Sequence, residues 1–97
     1  MEINERQWDL IFKPKALEDR IFFKKSGNIP LMKKIQGLLE ELEKHPETGT
    51  GKPEKLKDNL SGYWSRRINS EHRIIYVINT DQKTVDIYSL YGHYSKK

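Results

Sequence analysis

Between Gly51 and Ile78 the sequence GKPEKLKDNLSGYWSRRINSEHRIIYVI interleaves carboxylates, lysines, a histidine and three arginines with aromatic and β-branched residues. That mixture suits a solvated charged hairpin, a surface that binds nucleic acid, or part of an active site whose other groups come from elsewhere. Taken one at a time, its members do not choose. An arginine on a strand is ordinarily a solvated or ion-paired surface group. Glu54, between Pro53 and Lys55, reads as a loop charge, and His72 beside Glu71 as a turn residue, structural or exposed. His93, near the carboxyl end, reads as a surface group. Tyr63, Trp64, Tyr76 and Tyr88 are expected in the core or on a sheet face before they are expected to stack on bases.

The elements that must position these residues follow from periodicity. Gln7 to Phe12, short, aromatic and branched, predicts a strand that stops before Pro14, and the proline suits a helix start. In PKALEDRIFFKKS, Leu17 and Ile21 are one turn apart, with Phe22 and Phe23 widening the apolar side, and Gly27-Asn28 is a stop signal. After Pro30, the residues Leu31, Ile35, Leu38, Leu39 and Leu42 form an apolar stripe opposite Lys33, Lys34, Glu40, Glu41 and Lys44, predicting a second helix that ends near Pro46. Thr48 to Gly51 is a loop, and beyond it the period shortens to two. Tyr63 to Asn69, His72 to Asn79 and Thr84 to Tyr91 predict an antiparallel meander, with a short edge strand around Glu54 to Lys57 beside Pro53. The expected architecture is α+β: a two-helix hairpin packed on one face of a twisted antiparallel sheet, leaving the other face for function. Alternation places Arg67 with Tyr63 and Ser65, and Arg73 with Ile75 and Val77; register decides whether those two faces coincide.

A chain of 97 residues reads as one domain spanning 1–97, too short to divide its apolar residues between two cores. It has no cysteine, which excludes disulfides and thiolate metal sites, and its three histidines lack zinc-ligand spacing. MEINERQWDL carries charges where a signal peptide needs an apolar run, and no segment approaches the roughly 18 apolar residues of a membrane span. The expectation is a soluble, cytoplasmic chain without membrane attachment. The net charge of +4 is unevenly spread: residues 1–51 hold nine Lys or Arg against nine Asp or Glu, residues 52–97 nine against five. A basic second half attracts polyanions, nucleic acid first among them, and suits an acidic protein partner equally well.

The combination is more specific than its parts. The run TGTGKPEKLKDNLSGYWSRRINSEHRIIYVI, followed by GHY at Gly92 to Tyr94, resembles the YoeB/Txe family of toxins within the RelE-like superfamily of bacterial toxin–antitoxin proteins. The likeness is close over about half the chain, and the order of strand, two helices and meander is the one that fold has. Two departures are the extension Met1 to Arg6 and the tail Ser95 to Lys97, which follows a His-Tyr pair that commonly closes the chain in this family.

The resemblance implies a ribosome-dependent endoribonuclease that cuts messenger RNA in the decoding site, without metal or cofactor. Its implied partners are the ribosome with its messenger, a cognate acidic antitoxin of the YefM/Axe kind, and a second copy of the chain. By position in the motif, Glu54 matches the general base, Arg73 the phosphate-stabilising arginine and His93 the general acid, while Lys57, Arg67 and Tyr94 match substrate-contacting or supporting residues. The assignment makes chemical sense. Cleavage through the 2′-hydroxyl needs a base for its proton, donors for a phosphorane-like transition state, and an acid for the leaving 5′-oxygen. Two other readings use the same fold. One is a toxin that binds a protein such as gyrase and cuts nothing; the other is a small RNA-binding module built on the basic sheet and its tyrosines. Neither needs Glu54, Arg73 and His93 together.

Overall fold

Pro14 and Gly27 bracket the first helix. The proline occupies its first turn, where a missing N–H costs nothing, and Gly27 closes it in the left-handed region at φ 75°. Asn28 then starts the second helix at once, its side-chain oxygen accepting from the Leu31 N–H at 3.1 Å. The computed structural model describes residues 7–92. In chain order these form β1 (Asp9–Phe12), α1 (Pro14–Ser26), α2 (Ile29–Leu42), β2 (Glu54–Lys55), one 3-10 turn (Asp58–Leu60), β3 (Trp64–Arg67), β4 (Arg73–Asn79) and β5 (Thr84–Ser89).

The last four strands pair antiparallel in the expected meander, and the sheet order is β1-β5-β4-β3-β2. The first strand makes the sheet mixed, because β1 lies parallel to β5, with Leu10 beside Val85 and Phe12 beside Ile87. The two intervening helices supply the crossover that a parallel pairing requires. The amino end of β1 is fixed to the end of α2, where the N–H groups of Gln7 and Trp8 both donate to Glu43 O.

The core lies between the helices and one face of the sheet. Ile35, Leu38, Leu39 and Leu42 of α2 meet Ile74 and Tyr76 of β4 and Val85 and Ile87 of β5. The stripe read for α2 is therefore the buried one. Of that read for α1, only Phe23 is buried. The buried residues of α1 are Ala16, Asp19 and Phe23, while Leu17, Ile21 and Phe22 are about half exposed. The helix turns a narrow seam of positions three and four apart to the sheet. Leu17 and Ile21 are left lining an open groove of about 370 Å³ against Met32 and Ile35 of α2. No helix among the described residues is long and apolar enough to cross a membrane.

Candidate active site

Side chains paired across an antiparallel ladder point to the same face. Lys55, Trp64 and Tyr76 form one cross-strand row, and fully buried Tyr76 assigns it to the helix side. The next row, Glu54, Ser65 and Ile75, therefore lies on the open face, and so does the pair Arg67 and Arg73 beside it. The register thus resolves what alternation alone leaves open: the two arginines share a face, and Glu54 shares it with them. Two strand spacings and one two-residue step put the Glu54 and Arg73 α-carbons about 12 Å apart. Side chains of their lengths leave room between their ends for a phosphodiester. Ser65 and Ile75, both nearly inaccessible, form the floor, and Glu54 and Arg67 are exposed above it.

Tyr63 and Tyr88 flank this surface edge to face, with ring centres 5.2 Å apart. Trp64 and Tyr76 stack on the opposite, helix side at 6.2 Å. Lys57 is exposed just beyond β2, its carbonyl accepting from Leu60 N at the start of the 3-10 turn. His93 and Tyr94 lie outside the described residues. The chain leading to them is well fixed: Arg73 N–H donates to Gly92 O at 3.1 Å, and Gly92 N–H donates to His72 Nδ1 at 2.9 Å. His72 is thereby a structural residue, its ring packed against Phe23 and Tyr91.

What presents Glu54 is an arrangement that the sequence reading passed over. Of the adjacent arginines on β3, Arg67 faces solvent and Arg66 turns inward, fully buried. Its guanidinium donates to Glu41 Oε1 at 3.1 Å, to His45 O at 2.8 Å and to Thr48 O at 2.7 Å. Glu41, placed by periodicity on the solvated side of α2, is instead drawn over the loop and accepts from Thr50 N–H at 2.8 Å. Burial pushes the Glu41 carboxyl up, but hydrogen bonds from Thr50 and the Arg66 charge outweigh it and hold the group below its ordinary value of 4.5. Tyr76 completes the stitching by donating its hydroxyl to Pro46 O at 2.7 Å. A signal for Arg66 was present: it alternates with Trp64 and Ile68, both apolar, and so had to share their inward face.

Gly51 ends this loop against β3, accepting from Arg67 N–H at 2.7 Å. Its φ is +90°, and a Cβ there would stand 2.6 Å from Arg67 O and 2.8 Å from Arg66 Cγ. Gly51→Ala is accordingly expected to cost about 1–3 kcal/mol of stability. Urea unfolding measures it, and a variant as stable as the wild type would show that the loop does not need this close approach.

A mixed five-stranded sheet with two helices on one face, leaving Glu54, Arg67 and Arg73 on the other, is the fold of the RelE-like toxins. A toxin described as YoeB/ParE from Agrobacterium tumefaciens superposes with a TM-score of 0.82 at 31% identity, over 89% of this chain and 99% of that one. Staphylococcus aureus YoeB, solved both as a dimer and in complex with YefM, superposes at 0.77, with 40% and 42% identity; the alignments span 91% and 90% of this chain and 99% and 98% of those. Toxin YoeB of Synechocystis is 46% identical over 69 residues, 71% of this chain and 79% of its own. Residues 12–94 match the family described as YoeB-like toxin of bacterial type II toxin-antitoxin system. The chain belongs to that family and is a toxin component of such a system.

Proposed function

We propose that this toxin is a ribosome-dependent endoribonuclease that cleaves messenger RNA through its own 2′-hydroxyl. The observation that carries the reading is the pairing of Arg67 with Arg73 directly across β3 and β4. Like charges opposite one another are unfavourable in a sheet. A local conflict of this kind belongs at a functional site, where a phosphate between the guanidiniums turns repulsion into a two-armed grip. Glu54, in the neighbouring row, takes the 2′-hydroxyl proton as that oxygen attacks phosphorus. Arg73 stabilises the charge on the phosphoryl oxygens, and His93, next in the chain after Gly92, protonates the 5′-oxygen as its bond to phosphorus breaks. The products are a 2′,3′-cyclic phosphate and a 5′-hydroxyl. Lys57, Arg67 and Tyr94 hold the substrate, and the ribosome supplies the orientation that a shallow site lacks.

The same reading gives residues 1–97 one cytoplasmic domain, silenced by an acidic antitoxin of the YefM kind whose carboxylates neutralise the basic face. A second copy of the chain is a further partner, as in the Staphylococcus aureus dimer. The test is a translation extract programmed with a defined messenger, with and without ribosomes, in which cleaved ends are mapped. Cleavage only on ribosomes, leaving cyclic-phosphate ends, is the expected result. Naked RNA cut equally well would remove the ribosome from the mechanism, and translation arrested with the messenger intact would favour a protein-binding toxin.

A further inference from the structure

After β5 the chain leaves the sheet, and residues 90–92 belong to no helix or strand, yet each of their backbone N–H groups is captured by a side chain. Asp19 Oδ2, on α1, accepts from Leu90 N–H at 2.9 Å and from Tyr91 N–H at 3.0 Å. Asp19 is 8% exposed, and the same oxygen takes Lys15 Nζ at 2.8 Å. His72 Nδ1 accepts from Gly92 N–H at 2.9 Å, and the Arg73 N–H, one residue on, donates to Gly92 O at 3.1 Å. Leu90 is fully buried and its N–H needs a protein acceptor, but Tyr91 is half exposed and water could serve its N–H, so a single buried carboxylate that takes both holds the segment more tightly than closing the chain requires. Its position suggests another use. The clamped segment ends one residue before His93, and its last bond registers it against Arg73.

We propose that Asp19 and His72 are positioning residues: together they clamp Leu90–Gly92 against the start of β4, so that the chain enters His93 from a fixed point at the Arg73 backbone. The inference rests on the endoribonuclease reading for the role of His93, while the clamp itself is a structural claim with its own readout. Catalytic geometry tolerates little slack, because a misplacement of about 1 Å can cost 10²-fold in rate. Asp19 lies far along the chain from Glu54 and Arg73, and its hydrogen bonds among the described residues go to Lys15, Leu90 and Tyr91, so it acts through the segment it holds.

Two substitutions at His72 separate the hydrogen bond from the packing. His72→Phe keeps a ring against Phe23 and Tyr91 but has no acceptor, whereas His72→Asn loses the ring and keeps an acceptor close to the position of Nδ1. Amide hydrogen exchange of Tyr91 and Gly92 is measured alongside ribosome affinity and the single-turnover cleavage rate. His72→Phe is expected to raise exchange at Gly92 and to slow cleavage about tenfold, the scale of one lost hydrogen bond, at unchanged ribosome affinity. His72→Asn should recover most of both, and Asp19→Asn, which keeps an acceptor oxygen but not the charge, should loosen Leu90 and Tyr91 in the same assay. Unchanged exchange in His72→Phe would overturn the clamp, and so would a loosened segment with a wild-type cleavage rate. A wild-type protein that cuts no messenger on ribosomes would instead overturn the endoribonuclease reading, and exchange would still decide the clamp.

Discussion

Alanine in place of Arg73 is expected to slow single-turnover cleavage of ribosome-bound messenger by about 10²-fold or more, the usual scale for losing a donor to a developing anion. The fold should survive the change. Arg73 opens β4, whose hold on the molecule comes from the buried side chains of Ile74, Ile75 and Tyr76, and the bond to Gly92 O uses the Arg73 backbone N–H. Removing one of two opposed guanidiniums also relieves their repulsion, so the variant should be as stable as the wild type or slightly more so, an inversion common where a site is paid for in stability. Arg73→Lys should fall between the two in rate, because an ammonium keeps the charge without the planar fork. His93→Gln should slow cleavage likewise, since an amide cannot give up the proton. Lys33→Ala, exposed on α2 away from the open face, is the control that should change little. Rate and ribosome affinity must be measured together at fixed salt, because phosphate contacts are salt-dependent. Near-normal cleavage by both the Arg73 and His93 variants would remove these residues from the chemistry. A loss that merely followed weakened binding would make the protein an RNA- or ribosome-binding module.

Much of this arrangement was legible before any coordinates. Strong local signals carried it: the Pro14 and Gly27 stops bound α1 where it was expected, and the stripe from Ile35 to Leu42 is the face α2 buries. What failed did so for identifiable reasons. On α1, Leu17, Ile21 and Phe22 are more apolar than Ala16 and Asp19, so a hydropathy reading selects the wrong side; the buried side was set by close approach to β5 and by the need of Leu90 and Tyr91 for an acceptor. The parallel pairing of β1 with β5 is a long-range fact for which four residues carry no signature. The shared face of Arg67 and Arg73 depended on register, which side-chain type does not encode when both strands alternate. The family resemblance implies Glu54, Arg73 and His93 as a set, yet it singles out none of the buried or partly buried charges that tie down the neighbouring chain: Arg66, Glu41 and Asp19. These look like ordinary surface charges until the partner comes from another element.

Glu41→Ala is expected to destabilise the fold by about 3 kcal/mol, more than Arg66→Met, although the two residues make the same ion pair. The asymmetry follows from their surroundings. The Arg66 side chain is fully inaccessible, whereas that of Glu41 is 35% exposed. Without Glu41 the guanidinium stays buried with only the His45 and Thr48 carbonyls to face, and an uncompensated buried charge is the costliest outcome of breaking a pair. Without Arg66 the carboxylate can turn toward water while still holding Thr50 N–H, and methionine fills the vacated volume with apolar contacts. The loop carbonyls released in that case belong to exposed residues and can be hydrated. Acid adds a second readout. Because the folded Glu41 carboxyl titrates below its ordinary 4.5, its contribution is complete above that value and is lost as pH falls through the folded pKa. The stability gap between wild type and Glu41→Ala should therefore narrow in the acid range and be constant near neutrality. Urea unfolding of both variants across that range decides the matter. A Glu41→Ala cost within 1 kcal/mol of zero, or an Arg66→Met cost as large, would mean that the loop before Glu54 is held by packing and backbone bonds rather than by this charge.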